Sequence, residues 1–449
     1  MSAQGSKMNV WQLTILTAVN MMGSGIIMLP TKLAQVGTIS IISWAITAGG
    51  SIALAYVFAR CGMLSKKPGG MGGYAEYAFG KGGNYMANYT YGLSLVIANV
   101  AIAITAVGYL VVLFNMELSP LQTCIWSIVL LIITTVANFG GARITGRIGA
   151  VTVWGVIIPV VAVALLGWFW FSGSTWLAAW NPNNLPFGTA VGASISLTLW
   201  AFLGLESACA NADAVENPER DVPVAVMGGT LGAAVIYILS TNVIAGIIPD
   251  QELAASTAPF GLAFAHMFSP MVGSIVMALM VIACIGSLLG WQFTVAQVFK
   301  SSADVGYFLP IFGRATKNGT PIIGMLVLLV AQVALALMTI SPNLSAQFER
   351  VVNLAVVTNL VPYVMCMAAI FAIQKVRRVP RSKQIFTNVI ALIGAAYSYY
   401  ALWSSGTEAL MLGGLCIFLG WTLFGFVSAR FYDADIRAKV KHPGLALQD

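Results

Sequence analysis

Twelve apolar runs follow one another along this chain, at roughly 10–31, 38–59, 85–114, 121–139, 148–171, 188–211, 223–247, 271–298, 321–340, 351–374, 385–403 and 409–430. Each is long enough to cross about 30 Å of hydrocarbon as a helix, so an all-α polytopic membrane protein with twelve transmembrane helices is expected. Composition agrees: 59% of the residues are hydrophobic, 8% are charged, and the mean hydropathy is +0.86 over 449 residues. No soluble globular domain of this length has that profile. No long polar segment separates the runs, which leaves room for neither a soluble catalytic domain nor a ligand-binding ectodomain. The reading is therefore one integral membrane domain over 1–449. Its first run lacks a small-residue cleavage site and carries Asn20 and Pro30, the marks of a retained helix and not of a signal peptide.

The net charge of +7 invites an anionic partner, but the placement of the charges argues otherwise. Sorted by alternating loops, the 22 Lys and Arg residues put only Lys32 and Arg350 on one side and the other 20 opposite. By the positive-inside rule both termini, the Lys66/Lys67 loop, the Arg143/Arg147 loop and the Lys375–Lys383 cluster are expected in the cytoplasm. The excess charge is topological and calls for no nucleic-acid partner. The six cysteines fall in or at the ends of spans without paired spacing, so neither a disulfide framework nor a metal site is indicated.

Two runs carry their own interruptions. In Asn20-Met-Met-Gly-Ser-Gly-Ile-Ile-Met-Leu-Pro30, Gly23 and Gly25 bracket Ser24 and are poor helix formers, and Pro30 lacks an amide donor, so an unwound segment is expected near mid-membrane. The sixth run is weakened at Gly204 and Ser207. Such breaks, opening two successive five-helix halves at about 10–171 and 188–374 with peripheral helices at about 385–430, fit a five-plus-five inverted repeat with discontinuous helices 1 and 6. Small residues also serve plain helix packing, and Gly228-xxx-Gly232 in the seventh run, without polar company, is assigned to that role. The glycine-rich Pro68–Gly80 stretch lacks both a preceding strand and the Gly-Lys-Ser/Thr ending of a phosphate loop. A flexible or re-entrant connection is expected there, with Glu76 either a solvated charge or an attractor of cations.

The break in the sixth run coincides with a carboxylate. Glu206 is the one acid of 15 that falls in the hydrocarbon core, where insertion scales put the cost of an acidic side chain at roughly 2.5 to 3.5 kcal/mol. No predicted span holds a central Lys or Arg to neutralise it. Such a carboxylate must protonate or bind a cation, which makes the cargo an organic cation, a proton, or each in turn. Trp200, Trp291, Tyr91 and Asn99 supply candidate contacts: an ammonium over an indole face gains roughly 0.5 to 2 kcal/mol. Membrane Trp and Tyr more commonly line the interface. A channel would line its pore with rings of charge, and no HExxH or GxSxG motif supports an enzyme.

The motifs Asn20–Pro30, Gly72-Gly-Tyr-Ala-Glu-Tyr77, Leu199-Trp-Ala-Phe-Leu-Gly-Leu-Glu-Ser-Ala208 and Glu216-Asn-Pro-Glu-Arg220 resemble those of the basic amino acid/polyamine antiporters of the amino acid, polyamine and organocation superfamily. The likeness covers essentially the whole chain and is strongest toward the putrescine–ornithine antiporters; cadaverine–lysine and arginine–agmatine exchangers match less. It implies a site between the first, third, sixth and eighth spans. There Glu206 would bind an ammonium group, Trp200 and Trp291 would enclose the aliphatic chain, and Ser24 with the backbone of Gly23 and Gly25 would meet the α-amino and carboxylate ends of an amino acid. Glu76 and Tyr91 match positions implicated in polyamine transport. Where those antiporters carry a functional tyrosine in the last span, this chain has Phe424. The expected activity is exchange of putrescine for ornithine across the bacterial inner membrane without a cofactor, with proton-coupled putrescine uptake as a second mode. A proton-coupled cationic amino acid permease or a cadaverine–lysine type exchanger of the same fold is the alternative, and homo-oligomerisation is left open.

Overall fold

The protein is described by a computed structural model covering residues 9–206, 218–316 and 319–441. Seventeen α-helices occur among these residues: α1 Val10–Met21, α2 Leu29–Val36, α3 Ser40–Leu64, α4 Met71–Leu113, α5 Pro120–Ala137, α6 Ala142–Thr152, α7 Trp154–Leu166, α8 Gly173–Ala178, α9 Phe187–Trp200, α10 Pro218–Ile247, α11 Asp250–Ala255, α12 Pro259–Met267, α13 Pro270–Asp304, α14 Ile322–Met338, α15 Leu344–Val376, α16 Arg381–Ser404 and α17 Thr407–Lys441. No strand accompanies them among the described residues. Among the described residues nine helical segments are long and apolar enough to cross a membrane, and α9 and α14 are shorter apolar helices. The chain is thus a multi-pass helical bundle. Ser207 and the distal part of the expected sixth span lie outside the described residues.

Helix starts follow their sequence signals. Ser119 accepts from the Gln122 amide, the Gln122 side chain returns a bond to the Ser119 amide, and Pro120 opens α5, a capping box with proline at the first helical position. Ser269 before Pro270 caps α13 by accepting from the Val272 amide. Asn343 accepts from the amides of Ser345 and Ala346 at the start of α15. These caps satisfy donors that would otherwise enter an apolar medium unpaired.

The bundle is built around α4 and α15, the most enclosed long helices, while α17 lies largely exposed at the periphery. Close approach of α1 to α10 depends on glycine, but not on the expected pair. A Cβ at Gly229 would stand 2.6 Å from Thr17 Cβ and 2.8 Å from the Thr14 carbonyl, one at Gly228 would stand 3.4 Å from Thr14, and one at Gly232 would meet open space. The packing surface is therefore Gly228–Gly229, because Gly232 has turned away from α1.

The Pro68–Gly80 stretch is more ordered than a flexible connection. Its residues 71–79 are helical and α4 is interrupted at Gly80, whose φ of 64° and ψ of −162° fit glycine. The short helix turns back on the rest of α4: the Gly72 amide donates to Asn88 Oδ1 at 3.2 Å and Asn84 Nδ2 donates to Glu76 Oε2 at 2.8 Å. Sulfur of Cys366 on α15 reaches the Met71 carbonyl at 3.8 Å. Glu76 is accordingly not a solvated loop charge; it is an anion set against the main bundle.

The two basic residues expected apart from the rest are both paired. Lys32, 2% exposed, donates to Glu349 at 2.9 Å and to Gln35 Oε1 at 3.1 Å. Arg350 lies 3.7 Å from Glu408.

Candidate functional site

The first apolar run is broken as its glycines and proline suggest. Helix α1 ends at Met21, a single 3-10 turn covers Ser24–Ile26, and α2 restarts at Leu29 with Pro30 in its first turn. The second break follows α9. There the amides of Ala201, Phe202, Leu203 and Leu205 bond to carbonyls three residues back, the tighter pattern of a helix that is ending. Gly204 then adopts a φ of 108°, a conformation that disfavours any side chain.

The two breaks touch. A Cβ at Gly25 would stand 3.3 Å from Ala201 Cα and 3.4 Å from the Trp200 carbonyl, and one at Gly23 would stand 3.2 Å from Ser287 Oγ on α13. Glycine at these positions lets the unwound backbone of the first run lie close against the end of α9 and against α13.

Glu206 sits where they meet and is 8% exposed. Its Oε2 accepts from the Gly204 amide at 3.1 Å and from the Tyr363 hydroxyl on α15. The Tyr91 hydroxyl on α4 is directed to the same carboxylate. Among the described residues no Lys, Arg or His nitrogen lies within 4.0 Å of it. A carboxylate held by neutral donors is oriented without being paired to a protein cation, which leaves it open to a cation entering the space beside it.

That space is a pocket lined by Gly23 and Gly25 from the first break, Ser94, Leu95, Ala98 and Ile102 from α4, Trp200, Leu203, Gly204 and Glu206, Trp291 from α13, and Asn359 from α15. Its walls are chiefly apolar and its polar groups few, as in small-ligand sites. Above Trp200 the ring of Phe348 stands edge-on at 6.5 Å. Phe348 is fully buried and precedes Glu349, the partner of Lys32. Three of the five elements around the pocket thus contribute a lining residue that the sequence flagged.

The model of a family described as amino acid permease matches residues 8–427. The chain belongs to the amino acid permease family. It is 67% identical over 429 residues to the putrescine transporter PotE of Escherichia coli (strain K12), covering 96% of this chain and 98% of that one. Identity to the putrescine transporter PotE of Haemophilus influenzae is 63% over 431 residues, 96% and 99% of the two chains. The cadaverine/lysine antiporter of Escherichia coli (strain K12) is 33% identical over 423 residues, 92% and 93% of the chains.

Within this permease the expected site residues fall into three groups. Gly23, Gly25, Trp200, Glu206 and Trp291 line one pocket, with Ser24 in the turn between its glycines and Tyr91 behind the carboxylate. Asn99 does not line it: fully buried at the edge of the α4 stripe, it has both amide atoms unpartnered among the described residues. Glu76 stands apart, at the level of Asn84, seven residues or about 10 Å of helix from Tyr91. Phe424 lies with its ring 5.1 Å from that of Tyr85, also outside the pocket.

Sequence reasoning missed Tyr363, Asn359 and Ser94. Ser94 donates to the Tyr91 carbonyl at 2.7 Å and to Asn359 Oδ1 at 2.9 Å, fixing the back wall. A signal existed: Asn359 and Tyr363 are four apart on one face of α15 and flank Pro362, which removes a backbone donor in mid-helix.

Proposed function

We propose that this permease exchanges putrescine for ornithine across the bacterial inner membrane by alternating access. The observation that carries the reading is Glu206, an enclosed carboxylate without a protein cation, beside Trp200 and Trp291 at the junction of two helix breaks, in a chain 67% identical to a putrescine transporter. One ammonium of the cargo would replace the missing cation at Glu206. The methylene chain would lie between the indoles, where a desolvated ammonium gains roughly 0.5 to 2 kcal/mol or more. The carboxylate of ornithine would meet the backbone beyond Gly25, at the positive end of the restarted helix. Asn99, with its amide unsatisfied, would serve the same space through a rearranged α4 stripe.

The full architecture proposed for this activity has twelve spans in one domain over 1–449. Its halves, about 10–171 and 188–374, form an inverted repeat, with peripheral helices at about 385–430 and both termini cytoplasmic. The charge asymmetry of the loops supports that orientation. An empty carrier with a bare carboxylate resists reorientation, which favours obligatory exchange. Protonation of Glu206 relieves the charge and permits proton-coupled uptake of putrescine as a second mode. The 33% identity to a cadaverine/lysine antiporter favours, as the alternative substrate pair, a diamine and amino acid one methylene longer.

The decisive experiment is counterflow. Proteoliposomes loaded with ornithine, lysine or nothing are given labelled putrescine outside. Trans-stimulation by ornithine above lysine supports the reading, and uptake indifferent to internal substrate rejects exchange.

A further inference from the structure

Helix α6 turns two cations outward and no anion with them. Arg143 and Arg147 are both exposed, and among the described residues no carboxylate oxygen lies within 4.0 Å of either. The sequence holds no acid between Glu117 and Glu206, so the helix and its neighbours in the chain offer no partner. The opposite face of α6 is committed to the bundle. Thr145 is buried and donates to Asn138 Oδ1 at 2.7 Å, and Asn138 Nδ2 donates to the Leu289 carbonyl on α13 at 2.9 Å. Thr152 lies so close to Gly286 of α13 that it leaves no room for a Cβ there.

The arginines head a continuous outward stripe. Arg143, Arg147, Ala150 and Trp154 recur at intervals of four, three and four residues, which places them on one helical face. Val153, between α6 and α7, keeps a helical φ of −59° and ψ of −29°, so the face runs on into α7. Ile144, Ile148 and Val151 form an adjoining apolar stripe; Val151 is 72% exposed, Trp154 is 55% exposed, and Ile158 one turn further on is exposed as well. Residues 143–169 make up one of the segments long and apolar enough to cross a membrane. The guanidiniums therefore stand at the end of that span, and Trp154 lies about 10 Å of helix inward from Arg147. That distance passes through a headgroup layer of about 5 to 8 Å and into the hydrocarbon.

Two demands meet on this face: a guanidinium pair forms its best bonds to phosphate oxygens, and the apolar stripe beside and below it calls for hydrocarbon. We propose that Arg143, Arg147, Ala150 and Trp154 form a binding site for one anionic phospholipid, its phosphate on the two guanidiniums and an acyl chain along Ala150 and Trp154. A free anion satisfies the arginines and leaves the stripe uncovered. A zwitterionic lipid brings its own ammonium, which competes with the arginines for the phosphate. The charge asymmetry of the loops puts the site in the cytoplasmic leaflet, where juxtamembrane basic residues draw anionic lipid. The site is independent of the cargo that the Glu206 pocket holds.

The test reconstitutes the full-length protein in phosphatidylcholine bilayers containing either phosphatidylglycerol or phosphatidylcholine brominated in its acyl chains, since bromine quenches an indole on contact. The difference between the protein and its Trp154→Phe variant isolates the signal of Trp154. At that position phosphatidylglycerol is expected to be preferred over phosphatidylcholine by about fivefold or more, the effect of one basic residue at an anionic surface being about fivefold. Arg143→Gln with Arg147→Gln brings the two lipids to parity, whereas Arg143→Lys with Arg147→Lys keeps most of the preference. Inorganic phosphate, at ionic strength matched with sodium chloride, leaves the quenching by brominated phosphatidylglycerol unchanged. Parity in the unsubstituted protein, a preference that survives loss of both arginines, or release of the brominated lipid by inorganic phosphate overturns the proposal. Where the double glutamine variant does not fold, Arg143→Gln and Arg147→Gln are read singly: each lowers the preference several-fold, and an unchanged preference in both overturns the proposal.

Discussion

Glu206 and Glu76 are both enclosed carboxylates bordering α4, yet they are completed in opposite ways. Glu206 has a backbone amide and tyrosine hydroxyls for partners; Glu76 has a lysine ammonium, an asparagine amide and a tyrosine hydroxyl. Neutral donors orient a carboxylate without cancelling its charge, whereas a lysine cancels it. The first arrangement leaves an unmet demand for a cation, and the second has that demand met. Burial alone would not have told these acids apart; the charge of their partners does.

The largest effect that could break this contrast is charge removal. Glu206→Gln keeps the side chain's size but removes the one fixed charge opposing a desolvated ammonium, so putrescine transport at matched expression should fall by more than about 100-fold, in line with the ~3 to 5 kcal/mol of a broken buried pair. Glu76→Gln should cost about tenfold or less, since it frees Lys67 as well as removing the anion. Equal losses for the two variants would erase the distinction, and near wild-type transport by Glu206→Gln would remove Glu206 from the site.

Backbone strain gives the next comparison. Gly204 and Gly80 both have positive φ, and alanine at either is expected to cost about 1 to 3 kcal/mol. Gly204→Ala acts two residues from the carboxylate, on the amide that orients it, and should raise the KM for putrescine about tenfold. Gly80→Ala disturbs the fold-back that carries Glu76 and should leave that KM nearer wild type while lowering thermal stability. A reversed order would mean that the helix end after Trp200 is scaffold only.

How far the sequence reveals this depends on the reach of each signal. The break at Gly23–Pro30 and the acid in the sixth run were legible because glycine, proline and buried charge act locally. Placement of Trp200, Trp291 and Glu206 in one pocket followed from the family resemblance, with the residues supplying only the chemistry. Tyr363 was not legible: its role arises because α15 lies against the end of α9, a pairing that no local periodicity encodes. The fold-back at Gly80 was invisible for a related reason. A glycine-rich stretch announces conformational freedom, but its destination is set by Asn84 and Asn88, which bind Glu76 and Gly72 from the next helix.

Tyr363→Phe probes the missed residue with a smaller expected effect. It removes one hydroxyl donor from Glu206 while keeping the ring, which packs edge-on against Phe58 at 4.9 Å. A hydrogen bond to a charged group is worth about 1.5 to 3 kcal/mol, and Tyr91 and the Gly204 amide remain to share the load. Transport is expected to fall about fivefold with little change in melting temperature. A large drop in melting temperature with transport preserved would make Tyr363 a structural anchor instead.

The smallest and most discriminating difference concerns the indoles. Trp200 is buried with its ring nitrogen unpartnered among the described residues, so its ring is held by packing, including the edge contact with Phe348. Trp291 is half-buried on α13. If both enclose a cationic chain, replacement by Phe keeps a π face and replacement by Leu does not, and the two should differ by about two- to fourfold in putrescine KM, the size of a cation–π contact worth ~0.5 to 0.8 kcal/mol. The contrast should be larger at Trp200, where the site is drier. Hydrophobic packing alone predicts the opposite pattern: equal KM values for Phe and Leu, with any loss appearing in protein yield. Measuring KM and yield together for the four variants separates a residue that touches the cargo from one that only fills the core.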